Sequence, residues 1–213
     1  MPIKIFAKIV ENLCDLWYYK DKLRKETIIM VLNWTSVTGA DSVTNASEFL
    51  QTLSNEKVLS LDNIPPVDVD GICKSLDITI HVTDLSEIEK THKGDISGAL
   101  ISTPDYNTIL VNDTDPYVRQ RFTIAHELAH YVLHHRPDGD NDGVFISFRG
   151  ASNAIERAAN RFAADLLMPR NILRKHHAEK TLPLLWTLAE EFNVSRAAMR
   201  YQLEFLGLRY YGS

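Results

Sequence analysis

Four histidines and one acid crowd the stretch RFTIAHELAHYVLHH at positions 121–135. Wound as a helix at about 100° per residue, His126 and His130 stand one turn apart on one face, with Glu127 a single step round from them. Two imidazoles at that spacing can reach one metal ion. An acid so placed can touch a water on that metal without entering the ligand set. Histidines on a helix are often ordinary core or surface residues, so the surroundings decide. Val118, Phe122, Ala125, Ala129, Val132 and Leu133 form one apolar stripe, and Ile124, Leu128 and Tyr131 form a second. Between them Arg119, Thr123, His126, Glu127, His130 and His134 converge on one line. Polar groups left unpaired in such a buried helix are costly, which favours a metal. His134, a further turn away, is a candidate to touch a ligand or face a substrate. His135, His176 and His177 read as surface histidines.

Zinc at a catalytic site takes three protein ligands and keeps a position open for water. The later helix AIERAANRFAADLLMP offers Glu156 and Asn160 one turn apart. Glu156 has a competing use, because N-x-x-E from Asn153 is a capping box that opens helices. Asn160 supports the metal reading, since it could hold a ligand histidine by its other ring nitrogen.

The elements that position these residues are legible in outline. NASEFLQTL predicts a helix capped by Asn45 or Ser47, and VDGICKSL a short helix feeding the alternating strand DITIHV. ISGALIS and NTILVN predict a hairpin around Pro104 and Asp105. NDTDP starts the histidine helix, with Asp or Thr as cap and Pro116 in its first turn, and the helix runs to about His135. VFISF predicts a strand, SNAIERAANRFAADLLMP a helix stopped by Pro169, and three short helices complete the chain. Helices, then strands, then helices point to an α+β fold with a small mixed or antiparallel sheet. Two prolines in NIPPVD mark a linker. The expected division is a helical N-terminal extension over 1–62, a core over 63–170 and C-terminal helices over 171–213. Every candidate catalytic residue lies between 119 and 160, so a chain starting near Pro65 is expected to keep the site.

The chain has 213 residues with a net charge of −5 and a sequence pI of about 5.9. That balance argues against nucleic acid as a partner, which needs a basic footprint. The longest apolar run, TIIMVLNW, is far short of the roughly 20 residues a membrane span needs. No CxxC accompanies the two cysteines, Cys14 and Cys73, so neither a disulfide framework nor a cysteine metal site is expected. A soluble cytoplasmic protein follows as the expectation.

RFTIAHELAHYVLHH followed by IERAANRFAADLLMP resembles the ImmA/IrrE family of short gluzincin metallopeptidases, whose zincin-type active-site helix carries HExxH with a later glutamate. PVDVDGICKSLDITIHV and NTILVN fit the same family, and the resemblance spans about residues 64–170. It implies that His126, His130 and Glu156 hold Zn²⁺, that Glu127 is the catalytic base, and that Asn160 steadies the site. It further implies cleavage of a specific protein, a helix-turn-helix repressor or antitoxin, as in phage and toxin–antitoxin regulator pairs. Tyr106, Tyr131, His134 and Arg149 are candidates to stabilise the oxyanion, and a substrate peptide is expected along an edge strand supplied by GALIS or NTILV.

Other signals are weaker. DGDNDG at 138–143 begins like a calcium loop, but Arg149 stands where the bidentate Glu is required. LAEEFNVSRAAMRYQLEFLGL has helix-turn-helix rhythm, with Arg196, Arg200 and Gln202 on its second helix. The alternative there is an ordinary helical hairpin packing Phe192, Val194, Met199 and Leu203. Trp17, Tyr18 and Tyr19 suit a core. The competing functional reading is a non-enzymatic metal-binding toxin or regulator partner acting by protein–protein contact. Glu127 favours the enzyme, because a structural metal site needs no base.

Overall fold

The computed structural model describes residues 43–60, 65–86, 89–90, 95–102, 106–133, 143–148 and 153–212. The histidine residue His134, the calcium-like loop, Arg149 and the cluster Trp17–Tyr19 lie outside the described residues. Asn45 caps the first described helix, α1 (Ala46–Asn55), its side chain accepting from Ser47 N and Glu48 N. Ala46, Phe49, Leu50 and Leu53 face inward at helical spacing. Asp68 caps α2 (Val69–Ser75) through Gly71 N at 2.9 Å, and Asp77, at φ +58°, turns the chain into β1 (Ile78–Thr83).

β2 (Ile96–Ser102) and β3 (Asn107–Asn112) form the expected antiparallel hairpin. β1 joins β3 in parallel, and β4 (Gly143–Phe148) joins β2 antiparallel. The order is β1-β3-β2-β4, so the sheet is mixed. GALIS and NTILV are therefore interior strands, and the expected substrate edge passes to β1 or β4. Alternation along β2 and β3 explains the burial of both faces. Leu100, Ile109 and Val111 enter the main core, while Ala99, Ile101 and Leu110 join Ile96 and Leu85 in a second cluster beneath the sheet.

The histidine helix, α3 (Tyr117–Val132), packs against β2, β3 and α4 (Ala154–Leu167). Pro116 is its N-cap rather than its first helical residue, and it ends at Val132, before His135. Three short helices follow: α5 (Arg170–Ala178), α6 (Leu185–Glu191) and α7 (Arg196–Phe205). Seven helices and one small sheet among the described residues make an α+β fold.

One hydrophobic cluster unites α1, α2, α3, α4 and the α6–α7 hairpin. Residues 43–60, the described end of the expected extension, are thus built into the core, with Phe49 against Phe162 of α4 at 5.6 Å between ring centroids. In the C-terminal hairpin Asn193 makes the turn at φ +52° and Ser195 caps α7 through Ala198 N. Phe192, Val194, Met199 and Leu203 are buried in it. Gln202 is fully buried too, bonded to Asp165 and the Met168 carbonyl, so it cannot face a partner. His176 and His177 are half-buried rather than surface groups: His176 holds Glu191 of α6 at 2.5 Å, and His177 the Arg209 carbonyl at 2.6 Å.

Candidate metal centre

The middle of α3 and the first turns of α4 face each other. His126 and His130, one turn apart, bring their Nε2 atoms to 3.1 Å of one another. Asn153 caps α4 by accepting from Glu156 N at 2.8 Å, which fixes Glu156 in the first turn. The Glu156 carboxylate turns to the histidines, with Oε2 3.1 Å from His126 Nε2 and Oε1 3.5 Å from His130 Nε2. So Asn153 serves as the cap while the Glu156 side chain serves the cluster, and the two readings of N-x-x-E are compatible.

These three residues could hold a metal ion. A tetrahedral centre with bonds of about 2.0–2.1 Å has edges of about 3.3 Å between ligand atoms. The two histidine nitrogens lie 3.1 Å apart, and the two Glu156 oxygens lie 3.1 Å from His126 and 3.5 Å from His130, so the donor set suits one small divalent cation. All three side chains are buried, as a site of fixed geometry requires.

On the far side of His126, Nδ1 lies 3.1 Å from Asn160 Oδ1. A carbonyl oxygen can only accept, so Nδ1 carries the proton and Nε2 is left to face the cluster. Burial by itself would drive the proton from His126. The hydrogen bond donated to Glu156, the negative charges of Glu127 and Glu156 and the Asn160 contact outweigh it, holding the pKa above the ordinary histidine value. Glu127 is fully buried beside this group.

Of the oxyanion candidates, Tyr131 is half-buried against the main cluster. Tyr106 packs against the second cluster, on the face of the sheet turned away from α3. Arg119, expected on the polar strip, is exposed, and Thr123 is buried.

Three residues that sequence reasoning passed over frame the site. Arg121, in α3, is buried and donates to the Val67 carbonyl at 2.8 Å and the Asn193 carbonyl at 3.3 Å. An arginine at an apolar phase of a buried helix was the available signal. Asp165, in α4, binds Arg161, Arg170 and Gln202, and both guanidinium groups lie over the Phe205 ring at 4.1 and 5.2 Å. That knot fastens the ligand-bearing helix to α5 and α7. Gly98, in β2, lies against Thr123 and Glu127, and a glycine inside an alternating strand was its signal.

A buried histidine pair and a carboxylate, brought together from two helices beside a further buried acid, form a group that could hold one metal ion, as a metallopeptidase requires. Residues 73–204 match the Peptidase_M78 family, described as the IrrE N-terminal-like domain. The chain belongs to this ImmA/IrrE family of metallopeptidases. It is also similar to the radiation response metalloprotease IrrE of Deinococcus radiodurans, with 33% identity over 107 residues. That alignment covers 47% of this chain and 31% of the relative, so the chain spans less than a third of the relative's length.

Proposed function

We propose that this protein is a zinc-dependent endopeptidase that hydrolyses a peptide bond in one specific protein, a helix-turn-helix transcriptional repressor or antitoxin. The observation that carries the enzymatic reading is Glu127. This carboxylate is fully buried beside the three convergent ligand residues, and a purely structural metal site has no use for it.

In this reading His126, His130 and Glu156 hold Zn²⁺, which when bound supplies Lewis-acid polarisation of the peptide carbonyl and lowers the pKa of water. Glu127 takes up the proton at its carboxylate as water attacks and passes it to the leaving amine. Asn160 keeps the His126 ring in the orientation and tautomer that present Nε2 to the metal. The substrate lies extended along β4, an edge strand paired on one side with β2. Residues 63–170 perform the chemistry, and residues 1–62 together with 171–213 serve recognition, while Val43, Ala46, Phe49, Leu50 and Leu53 also enter the core. No helix among the described residues is long and apolar enough to cross a membrane, and the proposed place of action is the cytoplasm, on a protein partner rather than a nucleic acid.

The test is to co-express the wild type and Glu127→Gln with a candidate helix-turn-helix regulator and to follow the regulator by mass. Gln keeps the size and loses the base, so zinc should remain while cleavage falls by about 10²- to 10⁴-fold. Equal cleavage by both removes Glu127 from the chemistry. Equal, tight binding with cleavage by neither favours a non-enzymatic partner.

A further inference from the structure

β2 crosses α3 at Gly98. This residue pairs with Val111 of β3 and Ser147 of β4, at the irregularity where β2 shifts register on β4 between Ile96 and Gly98. A Cβ placed on Gly98 would lie 2.4 Å from Thr123 Cγ2, 2.7 Å from the Leu110 carbonyl oxygen and 3.4 Å from Glu127 Oε1. The first two distances are too short for any real contact. The strand backbone therefore rests directly on the turn of α3 from Thr123 to Glu127. Both residues are buried there, at 3% and 0% exposure. Thr123 and Glu127 are four positions apart and share a face, so one strand position faces both.

We infer that Gly98 is a positioning residue for Glu127: its missing side chain lets β2 close over the Thr123–Glu127 turn and sets where the Glu127 carboxylate stands. The inference rests on the reading of Glu127 as the base. Carbon atoms pack at about 3.5–4.0 Å, so an alanine at position 98 must drive the Thr123 methyl about 1 Å away. The Leu110 oxygen belongs to the backbone of β3 and cannot rotate aside. Relief of the Thr123 contact falls on the α3 turn that carries Glu127. Misplacement of a reacting group by about 1 Å costs on the order of 100-fold in rate. The ligand set is less affected, because Glu156 stands on α4 and Asn160 of α4 holds the His126 ring at Nδ1.

The test uses the full chain loaded with zinc, with acetohydroxamate as the probe. This small chelator takes a metal through two oxygens and offers a hydroxyl proton to a neighbouring carboxylate. Its affinity is measured by calorimetry, and zinc affinity by chelator competition. Glu127→Ala should weaken the probe about tenfold or more, the range for a lost hydrogen bond to a charged group. Gly98→Ala should weaken it by a similar factor while zinc affinity stays within about threefold of wild type. In the Glu127→Ala background, Gly98→Ala should add nothing, since both act through one carboxylate. Thr123→Ser, which removes the methyl in the way, should restore part of the loss in Gly98→Ala. Wild-type affinity in Gly98→Ala, or an equal loss in the Glu127→Ala background, overturns the inference. If Gly98→Ala does not fold, the Gly98→Ala/Thr123→Ser protein is read in its place; failure of both to fold makes Gly98 a sheet-packing residue only. A wild type that takes up no zinc, or a Glu127→Ala protein that binds the probe normally, overturns the peptidase reading itself.

Discussion

Phe49→Ala measures how firmly the N-terminal side of the chain supports the ligand-bearing helix. Phe49 is 0% exposed and meets Phe162 of α4 at 5.6 Å with the rings tilted by 47°. Phe162 follows Glu156 and Asn160 on that helix. Truncating a fully buried Phe costs about 3–5 kcal/mol, of which the ring pair accounts for about 0.5–1.5 kcal/mol. Domains of this kind have about 5–15 kcal/mol in total, so one side chain should remove a large share. For a chain of 150–250 residues each kcal/mol moves Tm by about 2–4 °C, giving an expected fall of about 6–20 °C by calorimetry. The control is Leu182→Ala, at a side chain 51% exposed, which should change stability by no more than about 0.5 kcal/mol. A Phe49→Ala protein melting within about 3 °C of wild type would refute the claim that α1 belongs to the core. Truncation at Pro65 removes Phe49 together with Val43, Ala46, Leu50 and Leu53, all buried. The shortened chain should therefore fail to fold, contrary to the expectation from the catalytic residues alone.

Replacing His126 and His130 together by Ala should abolish stoichiometric zinc uptake by elemental analysis; full occupancy in that protein would place the metal elsewhere. Asn160→Ala should weaken zinc by about 10- to 100-fold in chelator competition, with far-UV circular dichroism unchanged, and an unaltered affinity would assign Asn160 to helix packing. Burial would raise the Asp165 pKa, but hydrogen bonds from Arg170, Gln202 and Arg161 outweigh it and hold the carboxyl below its ordinary range. With the folded value below the unfolded one, the knot's contribution is complete above about pH 4 and is lost as pH falls through the folded value. Asp165→Asn should flatten that acid limb of the stability curve, and an unchanged limb would show that the knot does not govern it.

The convergence of His126, His130 and Glu156 was legible because its logic is local. Spacing within α3 places His126 and His130, and spacing within α4 places Glu156 and Asn160. A helix wheel finds both sets without knowing how the helices meet. Caps such as Asn45 and Asn153 are local for the same reason. Strand neighbours are not local: alternation tells which residues of β2 share a face but not that β4 will cover its outer edge, so the two hairpin strands were expected at an edge. Gln202 looked available on an exposed-seeming helix because its partner, Asp165, lies 37 positions away. Arg121 and Gly98 matter through what presses on them from other elements, and single-sequence periodicity does not report such pressure.

The two carbonyls gripped by Arg121 lie 54 residues before it and 72 residues after it. The helix that presents the histidines is thus tied to chain segments on both sides of the sheet's strands in sequence. Contacts so distant demand large loop closures, and they slow folding relative to a helical protein of local contacts. A growing polypeptide can wind α3 early, but its guanidinium has only one of its two acceptors until Asn193 has emerged and turned. The order of assembly expected from these separations is the helix first and its clamp last. A chain organised in this way should complete the clamp on α3 last, which would show as later protection of the C-terminal hairpin amides than of the α3 amides in pulsed hydrogen exchange during refolding.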